Sequence, residues 1–117
     1  MAQIRITDLT LRTIIGINDW ERKKKQDIVI NILIDFDATR AAVSDNISDT
    51  VNYKALKQNI IQLVEASNFF LLEKLTAEVL KLIMEDPQVE KATVRIDKPQ
   101  ALRFAKSVSM EMSATRD

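Results

Sequence analysis

An α+β fold, with its elements in the order strand, strand, helix, helix, strand, strand, is predicted by three features of the sequence. Residues Gln26–Asp37 alternate with a period of two, placing Ile28, Ile30, Ile32, Ile34 and Phe36 on one face. Two segments with apolar residues at helical spacing, Tyr53–Ala66 and Leu71–Met84, then follow one another directly. Beyond Asp86 and Pro87 the period returns to two, over Val89–Asp97 and again over Phe104–Ala114. At 117 residues the chain has length for one hydrophobic core and no second, so residues 1–117 are expected to form a single domain.

The first strand carries Ile4 and Ile6, then Leu9, Leu11 and Thr13; its phase slips near Thr7 and Asp8, as an inserted bulge residue would cause. It runs into a loop, Ile15–Lys25, holding the only glycine of the chain. Gly16 is expected to permit a backbone conformation or a close approach that a Cβ would block. The opposite face of the second strand, with Val29, Asn31, Leu33 and Asp35, is also partly apolar.

Ala38–Asn52, rich in Ser, Asp and Asn, is expected to be a long connecting loop. Asn52 should cap the first helix. That helix would bury Leu56, Ile60, Leu63 and Val64, and the second Leu72, Leu75, Val79, Leu82 and Ile83. The last two strands would turn Ala92, Val94 and Ile96, then Val108, Met110 and Met112, toward the core. Two helices cover one face of a sheet only. Its other face and its edges need partners, which favours a symmetric oligomer.

Composition narrows the chemistry. Lys+Arg and Asp+Glu both number 17, so no bulk field draws the chain to nucleic acid or anionic lipid, and neither is expected as a partner. With no His and no Cys, the ordinary zinc sites and the His-dependent nucleophile systems cannot be built; no metal is expected, and Lys, Glu, Asp and Tyr remain for proton transfer. The first residues lack a basic segment followed by an apolar one, and no apolar run approaches bilayer length, so a cytoplasmic location is expected.

Four side chains stand out, each with two readings. Lys98, before Pro99 where a strand should stop, is either a solvated turn lysine or a positioned acid/base. Glu21, beside Arg22, Lys23, Lys24 and Lys25, is either part of a charged hairpin tip or a carboxylate next to an anion-binding cluster. Glu73 is either a favourable first-turn charge or a bidentate acceptor for a ring with two parallel N–H donors. Tyr53 is either a packed aromatic or a proton-transfer group.

Four motifs occur in a fixed order: Ile15-Gly16-Ile17-Asn18-Asp19-Trp20-Glu21, Val51-Asn52-Tyr53, Leu71-Leu72-Glu73-Lys74 and Asp97-Lys98-Pro99. Together they resemble the dihydroneopterin aldolase family over essentially the whole chain. The stretches Leu11–Ile17, Gln26–Asn31, Leu71–Thr76 and Ala101–Met110 are similar to its branch acting on dihydroneopterin triphosphate.

The resemblance implies a tunnelling fold. Four-stranded antiparallel sheets of four subunits close into one barrel, two such rings stack as a homo-octamer, and active sites lie between neighbouring subunits. It implies a pterin substrate and neither metal nor other cofactor. It assigns Lys98, Glu21 and Tyr53 to catalysis, and Glu73 with the backbone of Leu72 and Val51 to the pterin ring. The expected reaction is inversion of C2′ by retro-aldol cleavage and recombination, giving the monapterin isomer. The alternatives are an aldolase that releases the fragment and a non-catalytic pterin-binding assembly protein. Arg22, Lys23, Lys24, Lys25, Arg103 and Lys106 are the candidates for holding a triphosphate.

Overall fold

The computed structural model describes residues 1–117. Four strands, β1 (Ala2–Thr13), β2 (Gln26–Phe36), β3 (Val89–Pro99) and β4 (Ser107–Thr115), form one antiparallel sheet in the order β1-β2-β3-β4. The bulge in β1 lies between Ile6 and Leu9. It resets the pleat so that Ile4, Ile6, Leu9 and Leu11 face Ile34, Ile32, Ile30 and Ile28 of β2 on one side. Asp8 takes the left-handed conformation this requires, at φ 55°; its N–H donates to Asn31 Oδ1, and Asn31 Nδ2 donates back to its carboxylate.

Helices α2 (Tyr53–Glu65) and α3 (Leu72–Met84) cover that side, α2 over β1 and α3 over β3 and β4. The core is a continuous layer: Ile28, Ile30 and Ile34 of β2 and Val94 and Ile96 of β3 meet Ile60 and Val64 of α2 and Leu75, Val79 and Ile83 of α3. Each such side chain contributes roughly 1.5–3 kcal/mol by leaving water. Asn52 caps α2 through its side chain, which accepts from Ala55 N–H. The Thr13 hydroxyl, fully buried, lies 2.8 Å from Val64 O and pins the end of α2 to the end of β1.

Three boundaries differ from expectation. The connection Ala38–Asn52 holds a short helix, α1 (Thr39–Ser44), and a 3-10 turn over Ile47–Asp49. Neither buries a side chain, so no apolar period marks them. They are ordered by local polar contacts, with Asp37 accepting from Thr39 N–H and Asn46 from Ser48 N–H. β3 continues two residues beyond Asp97, with Lys98 paired to Val108 and Pro99 to Ser107. β4 begins at Ser107 rather than Phe104; Gln100 and Phe104 take φ of 59° and 68°, which breaks the strand, and the Phe104 ring is fully exposed. The sheet face away from the helices, with Arg5, Leu33, Thr93, Arg95 and Glu111, is uncovered in one chain, and β1 and β4 are free edges.

Candidate active site

The added length of β3 decides where Lys98 points. Side chains on a strand alternate, so Lys98 shares the helix-covered side with Ile96 and Val94. Its side chain is 14% exposed and its ammonium donates to Glu21 Oε2 at 2.6 Å; the Glu21 side chain is 4% exposed. The turn lysine and the hairpin-tip glutamate of the sequence are therefore one buried ion pair.

Glu21 is held from every side. Asn18 donates to Oε1 through its backbone N–H and, at 2.9 Å, through Nδ2, while Gln26 Nε2 donates to Oε2 at 3.0 Å. Burial pushes the carboxyl upward, but the hydrogen bonds from Lys98, Gln26 and the Asn18 backbone outweigh it and hold the pKa at about 2. At neutral pH this is a carboxylate, and a weak base.

Gly16 explains how the carboxylate fits. Its φ is +126°, and a Cβ there would lie 2.1–2.3 Å from the carboxylate atoms of Glu21. Both reasons anticipated for a lone glycine apply at this position.

The same loop is tied to the segment before α3. Arg22 Nη1 donates to Gly16 O and Phe69 O, each at 3.0 Å, and Nη2 to Asn68 O; its guanidinium carbon sits 4.0 Å from the centre of the Phe70 ring. The fork of Arg22 is thus spent on carbonyls, unlike that of a free phosphate ligand. Lys23, Lys24, Lys25, Arg103 and Lys106 are exposed and make no ion pair. Helix α3 opens on Leu71, which cannot cap by side chain, so its first N–H groups, including that of Leu72, are left without intrahelical partners. Glu73 stands exposed in that first turn, its carboxylate without a hydrogen bond or ion pair.

Val51 and Tyr53 lie elsewhere. Gln88 Nε2 donates to Thr50 O, which fixes this segment beside the start of β3, and Val89 pairs with Phe36 at the far end of β2. Glu21 and Lys98 lie toward the Gln26 end, Lys98 one residue past the Val29–Asp97 pair and roughly 30 Å from Val89 along β3. Val51 is buried, whereas the Tyr53 ring is exposed. One chain therefore brings together Glu21, Lys98 and the start of α3, and holds Val51 and Tyr53 at the opposite end of its sheet.

Gln26, Asn18 and the strapping role of Arg22 were not legible in the sequence. Gln26 is the first residue of a regular strand, and Arg22 reads as one of four consecutive cations. No group of three or more Asp or Glu side chains converges anywhere in the chain, and no helix is long and apolar enough to cross a membrane.

Comparison with known proteins places these features in context. A family model described as FolB, dihydroneopterin aldolase, matches residues 4–113. The dihydroneopterin triphosphate 2′-epimerase of Escherichia coli K12 is 50% identical over 98% of this chain and 96% of its own length. That of Pseudomonas aeruginosa is 47% identical over 99% and 94%. The structure of E. coli dihydroneopterin aldolase in complex with neopterin superposes with a TM-score of 0.92 at 28% identity, covering 97% of this chain and 99% of the other.

Proposed function

The chain belongs to the dihydroneopterin aldolase family, and from that premise we propose that it inverts C2′ of 7,8-dihydroneopterin triphosphate. The buried Lys98–Glu21 pair carries the reading, because it sets a proton-transferring ammonium beside an open helix start. The two relatives of near-half identity over nearly their full length are named as epimerases of this substrate, which favours epimerisation over net aldol cleavage.

In this reading Glu73 accepts two parallel N–H donors from the pterin ring, and the free N–H of Leu72 meets a ring acceptor. Lys98, once it has released a proton to solvent and is the neutral amine, takes up the 2′-hydroxyl proton, directly or through a water, as C2′ becomes an aldehyde and the C1′–C2′ bond breaks. The released electron pair passes from C1′ into the C=N bond of the dihydropterin, so no Schiff base or cofactor is required. Recombination on the other face of the aldehyde, with return of the proton, inverts C2′. Glu21, too acidic to act as the base at neutral pH, orients the ammonium.

Tyr53 assists proton transfer from a second copy, and Val51 contributes its backbone from that copy. Their position at the far end of the sheet supports this reading, in which the site lies between subunits. Free edges on β1 and β4 support closure of four sheets into a barrel, two rings of which make an octamer. Lys23, Lys24, Lys25, Arg103 and Lys106 hold the triphosphate and retain the cleaved fragment. The protein works in the cytoplasm.

The test is incubation with dihydroneopterin triphosphate and with dihydroneopterin, followed by separation of the C2′ isomers from any 6-hydroxymethyl-dihydropterin. The expected product is the C2′ isomer of the triphosphate. Predominant release of 6-hydroxymethyl-dihydropterin would make the protein an aldolase, and pterin binding without turnover would remove the catalytic reading.

A further inference from the structure

We infer that Arg22 is a positioning residue that sets the spacing between the Lys98–Glu21 pair and the start of α3. Three observations carry this. Its fork bridges two segments far apart in sequence, Gly16 on one side and Asn68 with Phe69 on the other. The Gly16 side is the surface against which the Glu21 carboxylate rests, so a shift of Gly16 moves Glu21 and, through a 2.6 Å hydrogen bond, Lys98. The Phe69 side leads within four residues to Leu72 and Glu73.

Apart from Arg22, Gly16 and Phe69 are joined only by the Gly16 N–H donating to Phe69 O at 3.4 Å, a long hydrogen bond, and the next tie is the Thr13 hydroxyl, 3.0 Å from Ser67 O. The planar guanidinium, packed on Phe70, holds the spacing instead. A lysine cannot replace it, since one ammonium nitrogen does not span three carbonyls in a flat fork. The inference rests on the proposed placement of the pterin ring at Glu73.

The experiment compares R22K and R22Q with the unmodified assembly on dihydroneopterin triphosphate and on dihydroneopterin. Displacement of the acid/base relative to a ring still held by Glu73 should lower kcat roughly 10- to 100-fold, with KM within about twofold. The factor should be the same for both substrates, and lysine should not rescue. A loss confined to the triphosphate and restored by R22K would make Arg22 a phosphate ligand, and an unchanged kcat would remove the role; either overturns the inference.

F70L, which removes the stacking and none of the hydrogen bonds, guards against loss of folding. It should follow the same pattern with a smaller loss, about 3-fold, and an unchanged kcat counts against the strap. If the unmodified protein turns over neither substrate, the functional reading falls first. The strap is then judged by trypsin cleavage after Lys23, Lys24 and Lys25. R22Q should accelerate that cleavage about tenfold by freeing the loop, and an unchanged rate overturns the inference.

Discussion

Replacing Gly16 by alanine adds one methyl group at the most crowded point of the site. That carbon would lie 2.1–2.3 Å from the Glu21 carboxylate, and ordinary contact begins at 3.4 Å. The carboxylate must therefore retreat by about 1.2 Å, or the loop must open by as much. Such a retreat breaks the 2.6 Å bond from Lys98 and the 3.0 Å bond from Gln26. Each charge-assisted hydrogen bond is worth roughly 1.5–3 kcal/mol. The backbone at φ +126° adds strain of about 1–3 kcal/mol for a residue with a Cβ.

The expected cost is on the order of 4 kcal/mol, a large part of the stability of a small domain, and kcat should fall about 100-fold through misplacement of Lys98. Urea unfolding and steady-state turnover measure both. The decisive comparison repeats the substitution in an E21A background, where the methyl meets no carboxylate and only the backbone strain remains. An equal cost of G16A in both backgrounds would refute the contact as the reason for glycine here.

Glu21 also predicts an acid limit. Its pKa falls from 4.5 to about 2 on folding, so its contribution, roughly 3 kcal/mol, is complete above pH 4.5 and is lost as pH drops toward 2. Denaturation of E21Q should lack that component, and an identical acid slope in the two proteins would count against it. Glu73→Gln should weaken neopterin binding at least about tenfold, measured by equilibrium titration, while changing stability by less than about 1 kcal/mol because the exposed carboxylate has no partner. Thr13→Val removes a hydroxyl 2.8 Å from Val64 O and 3.0 Å from Ser67 O, but Val64 O keeps the Ser67 hydroxyl and N–H as donors, so the change should cost only about 1 kcal/mol in urea unfolding, with kcat unchanged.

Much of the fold was legible because its signals are local. The isoleucine ladder of β2 and the apolar stripes of α2 and α3 announce their period directly, and even the bulge in β1 is visible as a slip between Ile6 and Leu9. Boundaries set by polar contacts were not. The short helix Thr39–Ser44 buries nothing, and the start of β4 depends on two left-handed residues with no sequence mark.

For the site, the sequence by itself determined the inventory. Without His or Cys the chemistry had to come from Lys, Glu, Asp and Tyr, and the lone glycine had to serve close packing or a turn. Only the tertiary structure decided the pairing. Lys98 and Glu21 are 77 residues apart, and their contact depends on β3 running to Pro99, which turns Lys98 inward instead of leaving it in a turn. It also separated Arg22 from the lysines beside it and placed Tyr53 at the far end of the sheet from Lys98. Periodicity reports which face a residue occupies within its own element; strand register and loop packing, which are long-range, decide what that face meets.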